Sequence, residues 1–385
     1  MFKKMLIMFG IVGVFFSGCG KKEISEKEKG LKIGLVAPMT GGAATYGVST
    51  KNGAMMAIEM INNEGGISIN GVNQKIECMC EDDEGRPESA ANAYRKLIDQ
   101  DKVVAIIGTV MSKCSLAGAP IAQSAGVVMI SPTSTNPQVT LVGDYIFRAC
   151  FIDPFQGTVM ANFAYNTLAK RKASVLFDNG NDYNKGLAEF FKAQFEKSGG
   201  KIVAYEAFTD EDKTQDFTPQ LTKIKAASPD VLFLPNYYSS VALVAKQAKT
   251  MGIEIPLLGG DGWDSPELVN LGGKAVEDGY FSTHFSKDSP DQEIQKFVKG
   301  YQTKYGCAPD ALAALGYDAT LILIDALKRA QTTDKNAIRD ALAQTKDLQV
   351  LSGKITFDEN RNPVKSAVIL KIEEGKPIYH STITP

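Results

Sequence analysis

The side chains with the most chemistry to offer cluster in short polar segments that follow apolar runs. In the first half of the chain these are "PMTGGAATYG" (38–47), "GTVMSKCS" (108–115) and "SPTSTNPQ" (131–138). In the second they are "DNGNDYNKG" (178–186), "PNYYSS" (235–240) and "GGDGWDSPE" (259–267). They hold hydroxyls, aromatics and one or two acids, with no Lys or Arg cluster. Such a set suits a small neutral or zwitterionic ligand better than a phosphate. The hydroxyl-rich segments also open helices, where free backbone N–H groups and the positive end of the helix dipole attract a carboxylate. Ser112 and Thr135 are therefore expected to help hold an anionic group. The same residue types also serve as N-caps and turn formers. At Ser112 the two roles are compatible, because a cap hydroxyl beside free N–H groups is itself an anion site.

Other chemistries lack their residues. No GxGxxG follows a strand, and GxxxxGK[ST], HExxH and GxSxG are missing, so catalysis is not expected. His284 and His380 are the only histidines and neither lies near a CxxC, so no metal site or cofactor is expected. The formal net charge of −2, about −4 once Lys3 and Lys4 are removed with a leader, has both signs interspersed and argues against nucleic acid as a partner. Beyond Cys19 there are cysteines at 78, 80, 114, 150 and 307, an odd number that leaves at least one unpaired within a monomer. Cys78 and Cys80 point to the same face of a strand, which makes a direct bond between them awkward.

The elements that must position the polar segments alternate in type. "LKIGLVAP" reads as a strand, and Ala54, Ala57, Ile58 and Ile61 recur at helical spacing until Gly65 and Gly66 stop the helix. "QKIECMCEDD", "VVAIIGT" and "GVVMISP" are further strands, with a helix marked by Ala90, Ala93, Tyr94, Leu97 and Ile98 and another over "SLAGAPIAQSAG". From about residue 151 the pattern repeats through "ASVLFDN", "KIVAYEAFT", "DVLFLPN" and "IPLLGGD". This predicts an α/β fold with two doubly wound parallel-sheet lobes. The last hundred residues hold too little for a third domain and should complete both lobes, so the chain must cross between them more than once. In open parallel sheets ligands bind beyond the carboxyl ends of the strands, where the polar segments lie.

The N-terminus reads as an export signal: Lys3 and Lys4, then "MLIMFGIVGVFF", then small residues ending at Cys19. "FSGC" resembles a bacterial lipobox, which makes Cys19 a lipidated anchor; an ordinary secretory signal is the alternative. Residues 20–30, "GKKEISEKEKG", are charged and should form a tether.

Taken in order, the export signal with "SGC", "GLVAPMTGGAATYGVSTKNGAMMAIEMINNEGG", "IIGTVMS", "ISPTSTNPQVT", "FRACFIDPFQG", "DNGNDYNKGLA" and "GGDGWDSPELV" resemble the branched-chain amino-acid binding proteins that feed ABC transporters. The resemblance covers essentially the whole mature chain. It implies a type I periplasmic binding fold, a Venus flytrap whose two lobes are joined by a three-strand hinge. The implied division is 1–19 signal and anchor, 20–30 tether, 31–150 with 285–350 first lobe, and 151–284 with 351–385 second lobe. The implied partners are an amino acid, a permease and an ATPase, for an exported monomer held to the membrane by Cys19. Ser112 matches the serine that receives the ligand carboxylate, and Thr133 and Thr135 match the loop positions that bind both ends of the amino acid. Asp261 falls where the family places an acid for the α-ammonium, usually a glutamate. Tyr237 matches the second-lobe tyrosine, and Tyr46, Val110, Tyr183 and Leu312 match wall positions; the tyrosines can equally be packing aromatics, and "GGDG" only a tight turn. Trp263 has no settled counterpart; a lone tryptophan is more often a core or rim residue, yet its place two residues after Asp261 favours a position lining the cleft. The family's disulfide is expected to be missing, since Met111 and the "DDEG" loop stand at its cysteine positions. An amide, urea or aromatic acid as ligand, and a sensing module for a separate receptor, are the alternatives on this fold.

Overall fold

The computed structural model describes residues 30–385, so Cys19 and the proposed export signal lie outside the described residues. Two sheets dominate. The first is built from β1 (Leu31–Ala37), β4 (Ile76–Asp82), β5 (Ala105–Ile107), β6 (Val128–Ser131) and β7 (Ile146–Arg148), with β2 (Ile67–Ile69) and β3 (Val72–Gln74) forming a separate hairpin. Its order is β4-β1-β5-β6-β7 and every pairing is parallel. The second contains β8 (Lys172–Asp178), β9 (Lys201–Phe208), β10 (Val231–Leu234), β11 (Leu257–Gly259) and β12 (Tyr280–Thr283) in the parallel order β9-β8-β10-β11-β12. Each sheet therefore reverses strand order next to its first strand. The two reversal points, at β1/β5 and β8/β10, open crevices at the carboxyl ends of the strands.

After β12 the chain adds a small hairpin, β13 (Leu348–Val350) with β14 (Gly353–Ile355), and then a larger one, β15 (Ala367–Glu373) with β16 (Lys376–Ile383). β15 pairs antiparallel with β12, so the second sheet is mixed at that edge rather than parallel throughout. The chain passes between the sheets three times, at 149–152, at 284–291 and at 356–366, between the elements that flank those stretches.

Helices cover both faces. In the first lobe they are α1 (Ala44–Asn63), α2 (Pro87–Arg95), α3 (Ser112–Ala125) and the short α4 (Gln138–Leu141). In the second they are α5 (Asp153–Asn162), α6 (Asp182–Lys197), α7 (Thr218–Ala227), α8 (Tyr238–Thr250) and α9 (Pro266–Gly272). The last three, α10 (Gln292–Tyr305), α11 (Ala311–Ala330) and α12 (Lys335–Ala343), return to the first lobe. α11 docks on α1 with backbones almost touching: a Cβ on Gly53 would lie 1.8 Å from the Ala313 carbonyl, and one on Gly316 2.2 Å from that of Thr50. Only glycine fits at this crossing. It fixes the angle at which α1 presents Tyr46, and α11 presents Leu312, to the space between the lobes. Strands β1, β5, β6 and β7 of the first sheet and β8, β10 and β11 of the second are buried on both faces, as parallel strands under two helix layers must be, whereas the edge strands β4 and β9 are only half-buried.

Candidate functional site

The carboxyl ends of β5 and β6 form the first wall. The β6 loop is held from below by Arg148, fully buried, whose guanidinium donates to the carbonyls of Ser134 and Asn136, the latter at 2.8 Å. Ser131 Oγ donates to the Thr109 carbonyl at 2.8 Å and accepts from Ser134 N at 3.0 Å. Ser134 Oγ and Ser115 Oγ lie 2.8 Å apart. Several hydroxyls of "SPTSTNPQ" thus knit the loop to its neighbour instead of facing the cleft. Two of the loop and helix hydroxyls border the cavity. Thr133 Oγ1 donates to the Val110 carbonyl at 2.9 Å, and Ser112 Oγ accepts from Asn136 N at 3.3 Å. Each retains hydrogen-bonding capacity toward the space in front of the first turn of α3, where the leading N–H groups have no intrahelical partner.

The opposite wall comes from the second lobe. Asp261, at the end of β11, accepts from Tyr183 Oη and from Gln156 Nε2, both at 2.9 Å onto Oδ1. His284 Nε2 lies 3.1 Å from Oδ2. Burial holds the His284 ring below the usual imidazole range, against the pull of Asp261, so at neutral pH it is uncharged and Nε2 carries the proton given to the carboxylate. The ring stacks on Phe151, with centroids 3.7 Å apart. Three donors leave about one lone-pair direction of an ionised carboxylate free, and Asp261 borders the cavity. Tyr237 stacks parallel on Tyr183 with centroids 5.3 Å apart. Beneath it the buried Glu211 accepts from Tyr237 N at 3.2 Å, Ser240 Oγ at 3.0 Å and Asn181 Nδ2 at 3.0 Å. Burial pushes the Glu211 carboxyl up to about 7.

Between the walls lies a narrow cavity lined by Tyr46, Val110, Met111, Ser112, Thr133, Tyr183, Tyr237, Asp261, Gly262 and Leu312. Its volume is about 30 Å³, so the lobes stand closed over it. Contacts across the mouth agree. Tyr46 Oη donates to the Gly262 carbonyl, Tyr238 Oη donates to that of Gly42 at 2.7 Å, and Asn136 Nδ2 donates to that of Asp182 at 2.9 Å.

Eight of the residues singled out from sequence line this cavity: Ser112, Thr133, Tyr237, Asp261, Tyr46, Val110, Tyr183 and Leu312. Two do not. Thr135 is buried behind the wall, its Oγ1 without a hydrogen-bond partner, beside the Asp153 backbone N–H that its carbonyl accepts at 3.0 Å. Trp263 is fully buried in the second lobe, where its Nε1 donates to the Leu234 carbonyl at 2.9 Å. The indole turns inward because Gly259 makes room: a Cβ there would sit 2.1 Å from Nε1. A buried indole N–H needs an acceptor, and the end of β10 offers one.

Met111, Gly262, Gln156 and His284 were not anticipated. For His284 a signal existed, since it follows the end of β12 and strand ends are where sites form. Gln156 carries none, being a helix residue 105 positions from its partner. Asp153 belongs to the same missed group. It is fully buried, with no neighbour close enough for a well-formed hydrogen bond to either oxygen, and burial, opposed by the nearby Thr135 hydroxyl and reinforced by the charge of Asp261, pushes its carboxyl up to about 8. Where the resemblance implies a disulfide, Gly85 faces the Met111 thioether, which lies 3.1 Å from where a Cβ would be, and the cysteines among the described residues are free thiols.

A family model described as "Periplasmic binding protein" matches residues 30–377. The chain is 30% identical to a Leu/Ile/Val-binding protein homologue of Brucella melitensis over 349 residues, covering 90% of this chain and 92% of the relative. Among solved structures, a leucine-binding protein of Thermotoga maritima superposes with a TM-score of 0.87 at 38% identity, over 92% of this chain and 99% of that one. A branched-chain amino-acid transporter substrate-binding protein of Streptococcus pneumoniae in complex with isoleucine gives 0.86 at 33%, over 93% and 100%.

Proposed function

The chain belongs to the periplasmic binding protein family, and from that premise we propose that it captures an apolar α-amino acid by lobe closure and delivers it to the permease of an ABC transporter, without chemical conversion. The observation that carries this reading is the polarity of the closed cavity. One wall offers the α3 N-terminus with Ser112 and Thr133, and the other offers the Asp261 carboxylate. Apolar and aromatic side chains, Val110, Leu312, Tyr46, Tyr183 and Tyr237, lie between. A carboxylate and an ammonium on one small molecule complement the two walls, and an aliphatic side chain complements what separates them. The similarity to leucine- and isoleucine-binding relatives supports the same class.

In this scheme the amino acid docks first on Ser112 and Thr133, and closure then brings Asp261 and Tyr237 to its ammonium. The two lobes move as bodies about the three crossovers, and the β13–β14 hairpin, which the sequence division split at 350/351, packs in the core of the first lobe and moves with it. Expulsion of water strengthens both ionic contacts, and the closed form is the one a permease reads. No helix among the described residues is long and apolar enough to cross a membrane. Export as a monomer anchored through a lipidated Cys19 completes the proposal. Cys19→Ser then yields a folded, ligand-binding protein released from membranes, and retention of that variant on membranes refutes the anchor.

Thermal-shift measurements with single amino acids test the ligand class. A specific ligand at 100 times its Kd stabilises the protein by about 2.7 kcal/mol. Leucine, isoleucine or valine should raise the melting temperature most. A response to an amide, urea or aromatic acid, with none to any amino acid, overturns the reading.

A further inference from the structure

The cysteines divide by environment. Cys114 and Cys150 are fully buried in the core, where burial pushes their thiols up and makes them inert. Cys307 is exposed and alone. Cys78 and Cys80 differ from all three. They stand two apart on β4, the edge strand of the first sheet, opposite Ile33 and Leu35 of β1. Both are half-buried, and their Sγ atoms lie 3.7 Å apart. We propose that this pair is a reactive dithiol that closes to a disulfide by exchange with small-molecule disulfides, at a site separate from the ligand cavity.

The contact brings the two sulfurs together, and their charge surroundings divide the roles. The two sulfurs share a hydrogen bond, and this bond, aided by the charge of Lys51, lowers the Cys80 thiol despite partial burial. The proton shared between them stays on Cys78, whose thiol is pushed up. Cys80 is the attacking thiolate and Cys78 the resolving thiol. Cys80 Sγ attacks one sulfur of R–S–S–R, forming a mixed disulfide and expelling R–S⁻. Cys78 then gives up its proton and attacks Cys80 Sγ, forming the Cys78–Cys80 bond and expelling the second R–S⁻. The dithiol is oxidised by two electrons, the small disulfide is reduced to two thiols, and the protein's thiol protons end on them. Two residues of extended strand span about 6.6 Å between Cα atoms, near the upper limit for a disulfide, so the closed form is strained and excess thiol reopens it.

The test is exposure of the folded, unliganded protein to glutathione disulfide at neutral pH, followed by intact and peptide mass spectrometry. Wild type should lose two hydrogens, with the new bond mapped to Cys78–Cys80. Cys78→Ser should stop at one glutathione on Cys80, and Cys80→Ser should leave Cys78 unmodified. A stable glutathione adduct on Cys80 in wild type overturns closure. Rapid modification of Cys78 in Cys80→Ser overturns the assignment of roles. Both readouts are independent of amino-acid binding.

Discussion

The two walls of the cavity are built on different principles. The first-lobe wall is mostly backbone: a helix start and a loop in which Ser131 and Ser134 hold the loop's shape, braced by Arg148, while Thr133 keeps an acceptor toward the cavity. The second-lobe wall is a convergence of side chains, with Tyr183, Gln156 and His284 all fixing one carboxylate and Glu211 fixing Tyr237 from behind. A wall of dipoles is redundant, because several N–H groups share one anion. A wall with one formal charge is not. The difference teaches where single substitutions should matter.

The largest effect is expected at Asp261. Asp261→Asn keeps the shape and removes the only charge facing the proposed ammonium, and truncating one member of a desolvated charge pair costs about 2–5 kcal/mol. Affinity for the amino acid should fall at least tenfold by calorimetry, a change of about 1.4 kcal/mol or more. Unchanged affinity would move the ammonium elsewhere and break the contrast between the walls.

Asp153 sharpens the comparison through pH. Its carboxyl titrates near 8 in the folded protein and near 3.9 when unfolded, so the fold favours the protonated form. That contribution is fully present below pH about 4 and is lost as pH rises toward 8, because across this window the folded state binds the extra proton. Asp153→Asn, measured without ligand, should therefore show a melting temperature that falls less between pH 5 and pH 8 than that of wild type, by a few degrees. A fall as steep as in wild type removes Asp153 from the account.

The smallest effect is expected on the backbone wall. Ser112→Ala deletes one hydroxyl but leaves the α3 N-terminus in place, so binding should weaken by about 0.5–1.5 kcal/mol, less than for Asp261→Asn. The reverse ranking in calorimetry means that the hydroxyl, and not the dipole, holds the carboxylate.

Much of this wall was legible from sequence. "IIGTVMS" and "ISPTSTNPQVT" announce a strand, a turn and a helix start, and a hydroxyl at that junction has few places to point. The second wall was legible only in part. Asp261, Tyr183 and Tyr237 lie in the polar segments that follow strands and line the cavity, whereas Gln156 on α5 and the buried Asp153 carry no local mark. Trp263 shows the limit from the other side. It stands two residues after Asp261, yet Gly259 and the Leu234 carbonyl draw its ring into the core.

By itself the sequence determined the alternation of strands and helices, the repetition of that pattern in a second lobe, and the polar residues at the strand ends. These are consequences of periodicity and turn chemistry, which act over a few residues. Only the tertiary structure decided which of those residues face the cavity and what holds them there. Asp261 finds Tyr183 78 positions away and Gln156 105 positions away, and Tyr46 meets Gly262 across 216. Contacts at such separations depend on how sheets stack and helices cross, as Gly53 and Gly316 show, and a loop side chain turns toward whichever buried partner that packing supplies.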